Sequence, residues 1–236
     1  MIEFETLCFL QNHKTGCTLV EIFLRQHCGE DIVRYEKHWA PSTRKPGKFH
    51  FVGVREPLDA YLSLFNFGLD GKGEVFERLQ EAGQGKLYTA GIDGFAAWLR
   101  WMLDAGRSAM LYAPDSAALA PSCGLLTSRF LRLAIPGCRR DPAGDWRARL
   151  AGPDAVDAVL RYECLVADLQ ALAAGPLRHA FPDQASAQAW LAAAPRINPS
   201  QRRDRVKTPP LPADVRHLLA EREALLYDAF YPGQRP

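Results

Sequence analysis

The sequence lacks three features that would place it in a specialised class of protein. None of its six cysteines stands in a C-x-x-C pair, no apolar run is long enough to cross a bilayer, and the formal net charge is only +2. Scattered cysteines in a chain of 236 residues argue against a small disulfide framework, so we expect a reduced, cytoplasmic setting. No basic and apolar leader precedes the first apolar segment, which gives the same expectation. Because so small a charge gives no bulk attraction to nucleic acid, we expect no nucleic-acid partner. The lack of a long apolar run gives the expectation of no transmembrane segment.

What is present is the composition of a globular domain. Hydrophobic residues make up 47% of the chain and charged residues 24%, which is enough apolar surface for a packed core. We therefore predict a single domain over residues 1–236. Within it, residues from about 68 to 155 begin with a glycine-rich stretch and are predicted to be variable and partly mobile.

The order of the predicted elements favours an α/β fold. A buried strand is predicted over 6–11, a helix over 18–28, and two further strands over 32–38 and 49–54. Pro57 then stands where the next helix would begin, because its fixed φ and missing N–H are tolerated there. This alternation predicts a mostly parallel central sheet flanked by helices, with a phosphate-binding loop after the first strand.

The rest of the chain gives a less regular pattern. Further helices are predicted near 74–82, over 95–103 and over 213–230. Residues 106–153 read as rich in loops. Residues 158–174 are predicted as a strand that runs into a helix or as one continuous helix, and periodicity does not separate the two.

The segment FLQNHKTGCTLVEIF, residues 9–23, has the composition of a phosphate-binding loop. A buried strand that turns through glycine into a helix points backbone N–H groups and the helix dipole at one place. Lys14 would supply a point charge, Gly16 a close backbone approach, and Thr15 or Thr18 a hydroxyl donor. The alternative is a helix capped by one of these threonines beside a solvated lysine. Since the lysine precedes the glycine, the segment is not a Walker A loop and nothing is arranged to hold Mg²⁺.

A second segment, FHFVGVREPLDAYLSLFNFG, carries a guanidinium and a hydroxyl at helical spacing. Arg55 ends a predicted strand, and Ser63 follows two helical turns later. The pair suits a second phosphate group held away from the first. The alternative is an arginine that binds carbonyls at the strand end and a serine packed within a helix.

Together these segments resemble the sulfotransferase family that uses 3′-phosphoadenosine 5′-phosphosulfate (PAPS). HKTGCT at 13–18 is similar to the P-K-[ST]-G-[GT]-[ST] motif of that family, and VREPLDAYLS at 54–63 matches V-R-[DE]-P with a serine eight residues after the arginine. RYECLVADL at 161–169 is similar to its R-Y-E-D-L-V stretch. INPSQRRD at 197–204 and the helix after it resemble its usual C-terminal ending.

The resemblance implies transfer of a sulfuryl group from PAPS, as co-substrate, to an acceptor hydroxyl without a metal. Lys14 would neutralise charge on the leaving phosphate oxygen. Segment 13–18 would hold the 5′-phosphosulfate, although His13 replaces the usual proline and Cys17 replaces a small or hydroxyl residue. The residues that would bind the nucleotide are His13, Lys14, Thr15, Gly16, Cys17, Thr18, Arg55, Ser63 and Arg203.

An acceptor hydroxyl also needs a base. His38 is the first candidate because it ends the predicted second strand, and strand ends in parallel sheets face the ligand crevice. Glu36 and His13 are the alternatives. The expected partner is a small-molecule or glycan acceptor, most simply a carbohydrate or small alcohol, with a lipid-linked glycan and a peptide tyrosine also open. Residues 68–155 would form the acceptor side.

Two other functions stay open at this point. A P-loop kinase of small molecules would need ATP and Mg²⁺, and the missing Walker lysine–hydroxyl pair counts against it. A non-catalytic nucleotide-binding module would keep the loop without the chemistry. A zinc site is not expected, because the spacing of His13, Cys17, His27, Cys28 and His38 matches no standard pattern.

Overall fold

The computed structural model describes residues 1–138, 144–194 and 210–236. In these ranges the strands are β1 (Ile2–Glu3), β2 (Leu7–Leu10), β3 (Arg34–Tyr35), β4 (Phe49–Val54) and β5 (Ala158–Arg161). The α-helices are α1 (Cys17–His27), α2 (Pro57–Leu69), α3 (Glu74–Glu81), α4 (Ile92–Leu103), α5 (Ala105–Ser108), α6 (Leu125–Ala134), α7 (Trp146–Leu150), α8 (Leu165–Ala174), α9 (Gln184–Ala192), α10 (Ala213–Arg222) and α11 (Ala224–Phe230). None of the helices in this part of the chain has the length and apolar character needed to cross a membrane.

The chain divides into two compact units. The first unit comprises Met1–Arg55, Phe130–Cys138 and Asp145–Pro199, and it contains the whole sheet. The second comprises Glu56–Arg129, Arg139–Gly144 and Ser200–Pro236. Its described residues are helices and their connections.

The fold is α/β, with one five-stranded sheet flanked by helices, but the sheet is mixed. The strand order is β3-β1-β2-β4-β5. β2, β4 and β5 are parallel, whereas β1 is antiparallel to both of its neighbours. The prediction of a mostly parallel sheet was therefore wrong. The reason is the short β1, which is joined to β2 by Phe4–Thr6, because a connection this short joins only antiparallel strands.

The same two-residue strand precedes the strand that was predicted over 6–11, which is β2. The segment from Gln11 to Gly16 follows β2, the second strand, and leads into α1. The prediction placed it after the first strand. A strand as short as β1 has no periodic pattern, so the sequence does not reveal it.

The predicted strand over 32–38 is reduced to Arg34–Tyr35. Ile32 and Val33 precede it with 38% and 58% of their surfaces exposed. His38 was predicted to end this strand, and that prediction is wrong. The residue lies in a turn, with a φ of 59°. This φ is in the left-handed region and cannot continue an extended backbone.

Several other elements were predicted correctly. β4 covers the predicted residues 49–54, and α2 begins at Pro57 as expected. The ambiguous stretch 158–174 is a strand followed by a helix, since β5 leads through a 3₁₀ turn, Tyr162–Cys164, into α8. In contrast, the predicted loop region 106–153 contains α6, which the sequence pattern missed.

The core of the first unit joins the sheet to α1, α8 and α9. Phe9 of β2 and Phe51 of β4 stack with ring centroids 5.1 Å apart, and both are fully buried. Phe23 of α1 and Leu169 of α8 belong to the same cluster. Burying a phenylalanine side chain stabilises a fold by about 1.5–3 kcal/mol, so this cluster holds α1 and the strand ends in fixed positions.

The second unit has a helical core and an ordered carboxyl-terminal pair of helices. The predicted helix over 213–230 is broken at Glu223 into α10 and α11. Glu56 of the VREP motif caps α2 through its carboxylate, which accepts a hydrogen bond from the N–H of Asp59 at 2.7 Å. Tyr227 of α11 donates its hydroxyl to the same carboxylate at 2.7 Å, so one residue of the motif has a structural role in this unit.

Candidate functional site

Two buried polar residues connect the end of β2 to its neighbours. Gln11 and Asn12 are 0% and 6% exposed. The Gln11 amide donates to the Glu21 carboxylate of α1 at 2.8 Å, and the Asn12 amide donates to the Gly53 carbonyl of β4 at 3.1 Å. Sequence reasoning missed both residues, because Gln11 reads as the end of an apolar strand and Asn12 as part of a loop.

The start of α1 carries positive potential without an acidic cap. Gly16 is the N-cap with φ 78°, it makes no side-chain capping bond, and the first turn of α1 contains no acidic residue. The first N–H groups of a helix have no partner within the helix, and the helix dipole is positive there. This end of α1 therefore has the character of an anion site, with Lys14 two residues before the N-cap.

The two predicted hydroxyl donors differ in what they do. The Thr15 hydroxyl donates to the Asn12 carbonyl at 3.0 Å and packs against Gly53, where an added Cβ would lie 2.5 Å from it. Thr15 therefore serves the conformation of the segment itself. Thr18 lies in the first turn of α1 and is half-buried, and the predicted ligand roles of both threonines stay predictions.

Three motif segments that are far apart in sequence meet beside Gly16. A Cβ on Gly16 would lie 2.5 Å from Leu165 and 3.2 Å from the Tyr162 ring. The Arg55 guanidinium lies over the same Tyr162 ring, with its Cζ 4.2 Å from the ring centre. Arg55 also reaches the first segment, because its Nη1 lies 3.4 Å from the Lys14 carbonyl oxygen.

Arg55 has donor capacity that the described residues do not use. Its Nε is buried and has no hydrogen-bond partner among them, and its contact with Lys14 is long. A guanidinium has five N–H donors in a fixed plane, which suits the oxygens of a carboxylate or phosphate. Leaving a buried donor unpaired costs about 1–3 kcal/mol, and an anion bound here would recover that cost.

Backbone strain is concentrated in this region. In the described part of the chain, Lys14 with φ 63° and His38 with φ 59° are the two residues other than glycine that have positive φ. Such conformations cost about 1–3 kcal/mol each and cluster at functional sites. They coincide with the two residues that the sequence predicted as catalytic.

The candidate bases His13 and His38 lie together. The two rings stack with centroids 3.7 Å apart. His38 Nδ1 lies 2.9 Å from the carbonyl oxygen of Gln11. Because a carbonyl only accepts, Nδ1 carries the proton, and Nε2 holds the lone pair of the neutral ring. Glu36, the third candidate, is exposed and paired with Arg34, its Oε1 accepting from Nε at 2.8 Å.

The thiol and metal chemistry of the segment is limited. Cys17 is buried at the first position of α1, and this burial raises the pKa of its thiol. A protonated thiol is neither a strong nucleophile nor a metal ligand at neutral pH. Across the described ranges, no three histidine, cysteine, aspartate or glutamate side chains are grouped in a way that would hold a metal ion.

The roles of two further predicted nucleotide ligands stay predictions. Ser63 lies half-buried in α2, in the second unit, and its pairing with Arg55 stays a prediction. Arg203, together with Arg202, lies outside the described residues. The cluster therefore consists of residues of the first unit alone.

Comparisons with known proteins give no relative for this chain. No family model, no curated protein and no solved structure matches it. The resemblance to sulfotransferases therefore depends on the motifs within 13–18, 54–63 and 161–169, and on 197–204, which lies outside the described residues, and it stays a prediction. Support for a function comes from the residues of the cluster and their geometry.

Proposed function

We propose that this protein is a sulfotransferase that moves a sulfuryl group from PAPS to an acceptor hydroxyl. The observation that carries the proposal is the meeting of the three motif segments at Gly16, Arg55 and Tyr162. The strained backbone at Lys14 and His38 supports it independently, because strain of this kind is retained where a side chain must be aimed at a ligand.

In this proposal the start of α1 binds the 5′-phosphosulfate. The N–H groups of its first turn and the Lys14 ammonium face the phosphate. During transfer the bond between sulfur and the bridging phosphate oxygen breaks, and a bond forms between sulfur and the acceptor oxygen. Lys14 neutralises the negative charge that develops on the leaving phosphate oxygen. The acceptor proton passes to Nε2 of His38, the nitrogen that holds the lone pair when Nδ1 donates to Gln11.

Arg55 binds the 3′-phosphate in this proposal. Its unused Nε and the plane of its guanidinium provide a two-point contact with phosphate oxygens. The Tyr162 ring keeps that plane in place from one side. Since the 3′-phosphate is what separates PAPS from ordinary adenine nucleotides, Arg55 would determine the choice of donor. Ser63 and Arg203 stay predicted ligands of the same phosphate group.

The test compares thermal stabilisation by adenosine 3′,5′-bisphosphate (PAP), the product of PAPS, with stabilisation by AMP. A ligand at 100 times its Kd stabilises the folded state by about 2.7 kcal/mol, so a difference in affinity appears as a difference in Tm. We expect PAP to raise the Tm far more than AMP, and Arg55→Ala to remove most of that difference. Arg149→Ala is the matched control, because Arg149 also lies over an aromatic ring, that of Trp146, at 5.3 Å. Equal shifts by PAP and AMP in the unaltered protein would overturn the assignment.

A second measurement separates the proposal from the kinase alternative. Transfer of labelled sulfur from PAPS to sugar and alcohol acceptors is followed in the presence of EDTA. We expect transfer to continue, because lysine and backbone dipoles supply the positive charge. Transfer of phosphate from ATP that needs added Mg²⁺ would instead support the kinase.

A further inference from the structure

Gln11 is a buried glutamine whose amide has only one possible orientation. It directly follows β2, and its Nε2 donates to Glu21 Oε2 at 2.8 Å. Because a carboxylate only accepts, the nitrogen must face Glu21. The amide oxygen then points elsewhere, and it is buried without a hydrogen-bond partner among the described residues.

Glu21 is itself held from several sides. Its Oε1 accepts from Arg25 Nε at 2.9 Å, one turn later on α1. Its Oε2 also accepts from the Tyr35 hydroxyl of β3 at 3.1 Å. The Arg25 guanidinium lies over the Tyr35 ring with Cζ 4.6 Å from its centre. The carboxylate that receives the Gln11 amide is therefore fixed by both α1 and β3.

The backbone of Gln11 contacts the proposed base. Its carbonyl oxygen lies 2.9 Å from His38 Nδ1. The β2–β4 ladder ends at the pair Leu10 and Val52, so strand pairing does not hold this carbonyl. The bond from the Gln11 side chain to Glu21 helps to fix the residue at this point, together with the bond of the next residue, Asn12, to the Gly53 carbonyl.

We infer that Gln11 and Glu21 are positioning residues that hold His38 as the Nδ1–H tautomer and thereby aim its Nε2 at the acceptor. The catalytic meaning of this inference rests on the proposed function, whereas the tautomer itself does not. A purely structural role explains the arrangement less well. A methionine of similar volume would fill the space without an unpaired amide oxygen, so packing alone does not account for an amide here.

The experiment uses the full chain with ¹⁵N-labelled histidine and two substitutions, Gln11→Met and Glu21→Gln. Imidazole nitrogen shifts distinguish the two neutral tautomers. In the unaltered protein we expect His38 to be Nδ1–H, and in both variants we expect a shift towards Nε2–H. Gln188→Met is the matched control, because the Gln188 amide likewise donates one hydrogen bond, to the Gln170 carbonyl at 3.2 Å. This substitution should not change the tautomer of His38.

Kinetics with PAPS and an established acceptor give the second readout. A misplacement of about 1 Å in a reacting group can cost about 100-fold in rate, so we expect kcat to fall by about 10- to 100-fold with little change in the KM for PAPS. A His38 that is Nε2–H in the unaltered protein, or Nδ1–H in both variants, would overturn the inference. If Gln11→Met does not fold, Glu21→Gln decides alone. A tautomer that shifts as expected in a protein that transfers no sulfuryl group supports the positioning and rejects the proposed function.

Discussion

The imidazole rings of His13 and His38 stack with their centroids 3.7 Å apart and their planes inclined by 17°. His13 belongs to the segment between β2 and α1, and His38 to the turn after β3. The stack places each imidazole in direct contact with the other ring. His13 is thus part of the surroundings of His38 as well as an alternative base.

The first prediction concerns these two histidines. His38→Ala should lower turnover by at least about 100-fold, because a positioned base typically contributes 10²–10⁴-fold, while PAP binding stays nearly intact. His13→Ala should cost less, since it leaves His38 in place as the base. Glu36→Ala should cost least, because Glu36 is exposed and paired with Arg34.

The measurement is kcat with PAPS and an established acceptor, and His217→Ala is the control, an exposed histidine of α10. If His38→Ala turns over at the normal rate, the base lies elsewhere, and His13 is the first residue to test in its place.

The second prediction concerns the close approach at Gly16. Gly16 and Gly47 have nearly the same φ, 78° and 75°, but an added Cβ meets Leu165 at 2.5 Å at the first and nothing within 4 Å at the second. Both alanine substitutions introduce backbone strain, and Gly16→Ala also overpacks the core. Gly16→Ala should therefore lower the free energy of unfolding by about 1–3 kcal/mol more than Gly47→Ala does.

Urea unfolding measures both costs, and thermal shifts measure PAP binding. Only Gly16→Ala should weaken PAP binding, because Gly16 begins the proposed phosphate site. Equal losses of stability in the two variants would show that the contact with Leu165 and Tyr162 is not a tight one.

Much of the fold was predictable where an element has a strong local pattern. β4 and α2 were placed correctly, because an apolar run and a proline at a helix start are local signals. The mixed sheet was not, since β1 and β3 have two residues each and gain their partners only in the folded chain. The break at Glu223 was also missed, because an ionisable side chain within a helical pattern reads as solvent-facing.

The candidate site divides in a similar way. Lys14, Gly16 and Arg55 stand out in the sequence because their residue types and spacing match phosphate chemistry. The roles of Gln11 and Tyr162 depend on contacts between distant segments, which leave no periodic signal. The His13–His38 stack further requires that His38 adopt a left-handed backbone conformation in a turn. The presence of a histidine in the sequence does not predict that conformation.

Glu223 supports the third prediction, on the stability of the second unit. Its side chain is 0% exposed, and its carboxylate accepts from the hydroxyl of Tyr61 at 2.6 Å and from the hydroxyl and N–H of Thr127 at 2.6 and 2.8 Å. Burial raises its pKa above the ordinary 4.5, and the hydrogen bonds from Thr127 and Tyr61 oppose this shift without cancelling it. The folded state therefore keeps a proton at pH values where the unfolded state has lost it.

Glu223→Gln should destabilise the protein by about 1–3 kcal/mol, because an amide nitrogen would face backbone and hydroxyl donors that now meet an oxygen. A raised pKa gives stability that is present below pH 4.5 and is lost as the pH rises through the folded pKa, whereas glutamine does not titrate. The difference in unfolding free energy between the unaltered protein and Glu223→Gln should thus be largest near pH 4 and narrow towards pH 8. Urea unfolding at several pH values measures it, with Glu81→Gln, an exposed glutamate of α3, as the control. If the difference in unfolding free energy widens as the pH rises, the folded state stabilises Glu223 as a carboxylate. This would contradict the raised pKa that its burial leads us to expect.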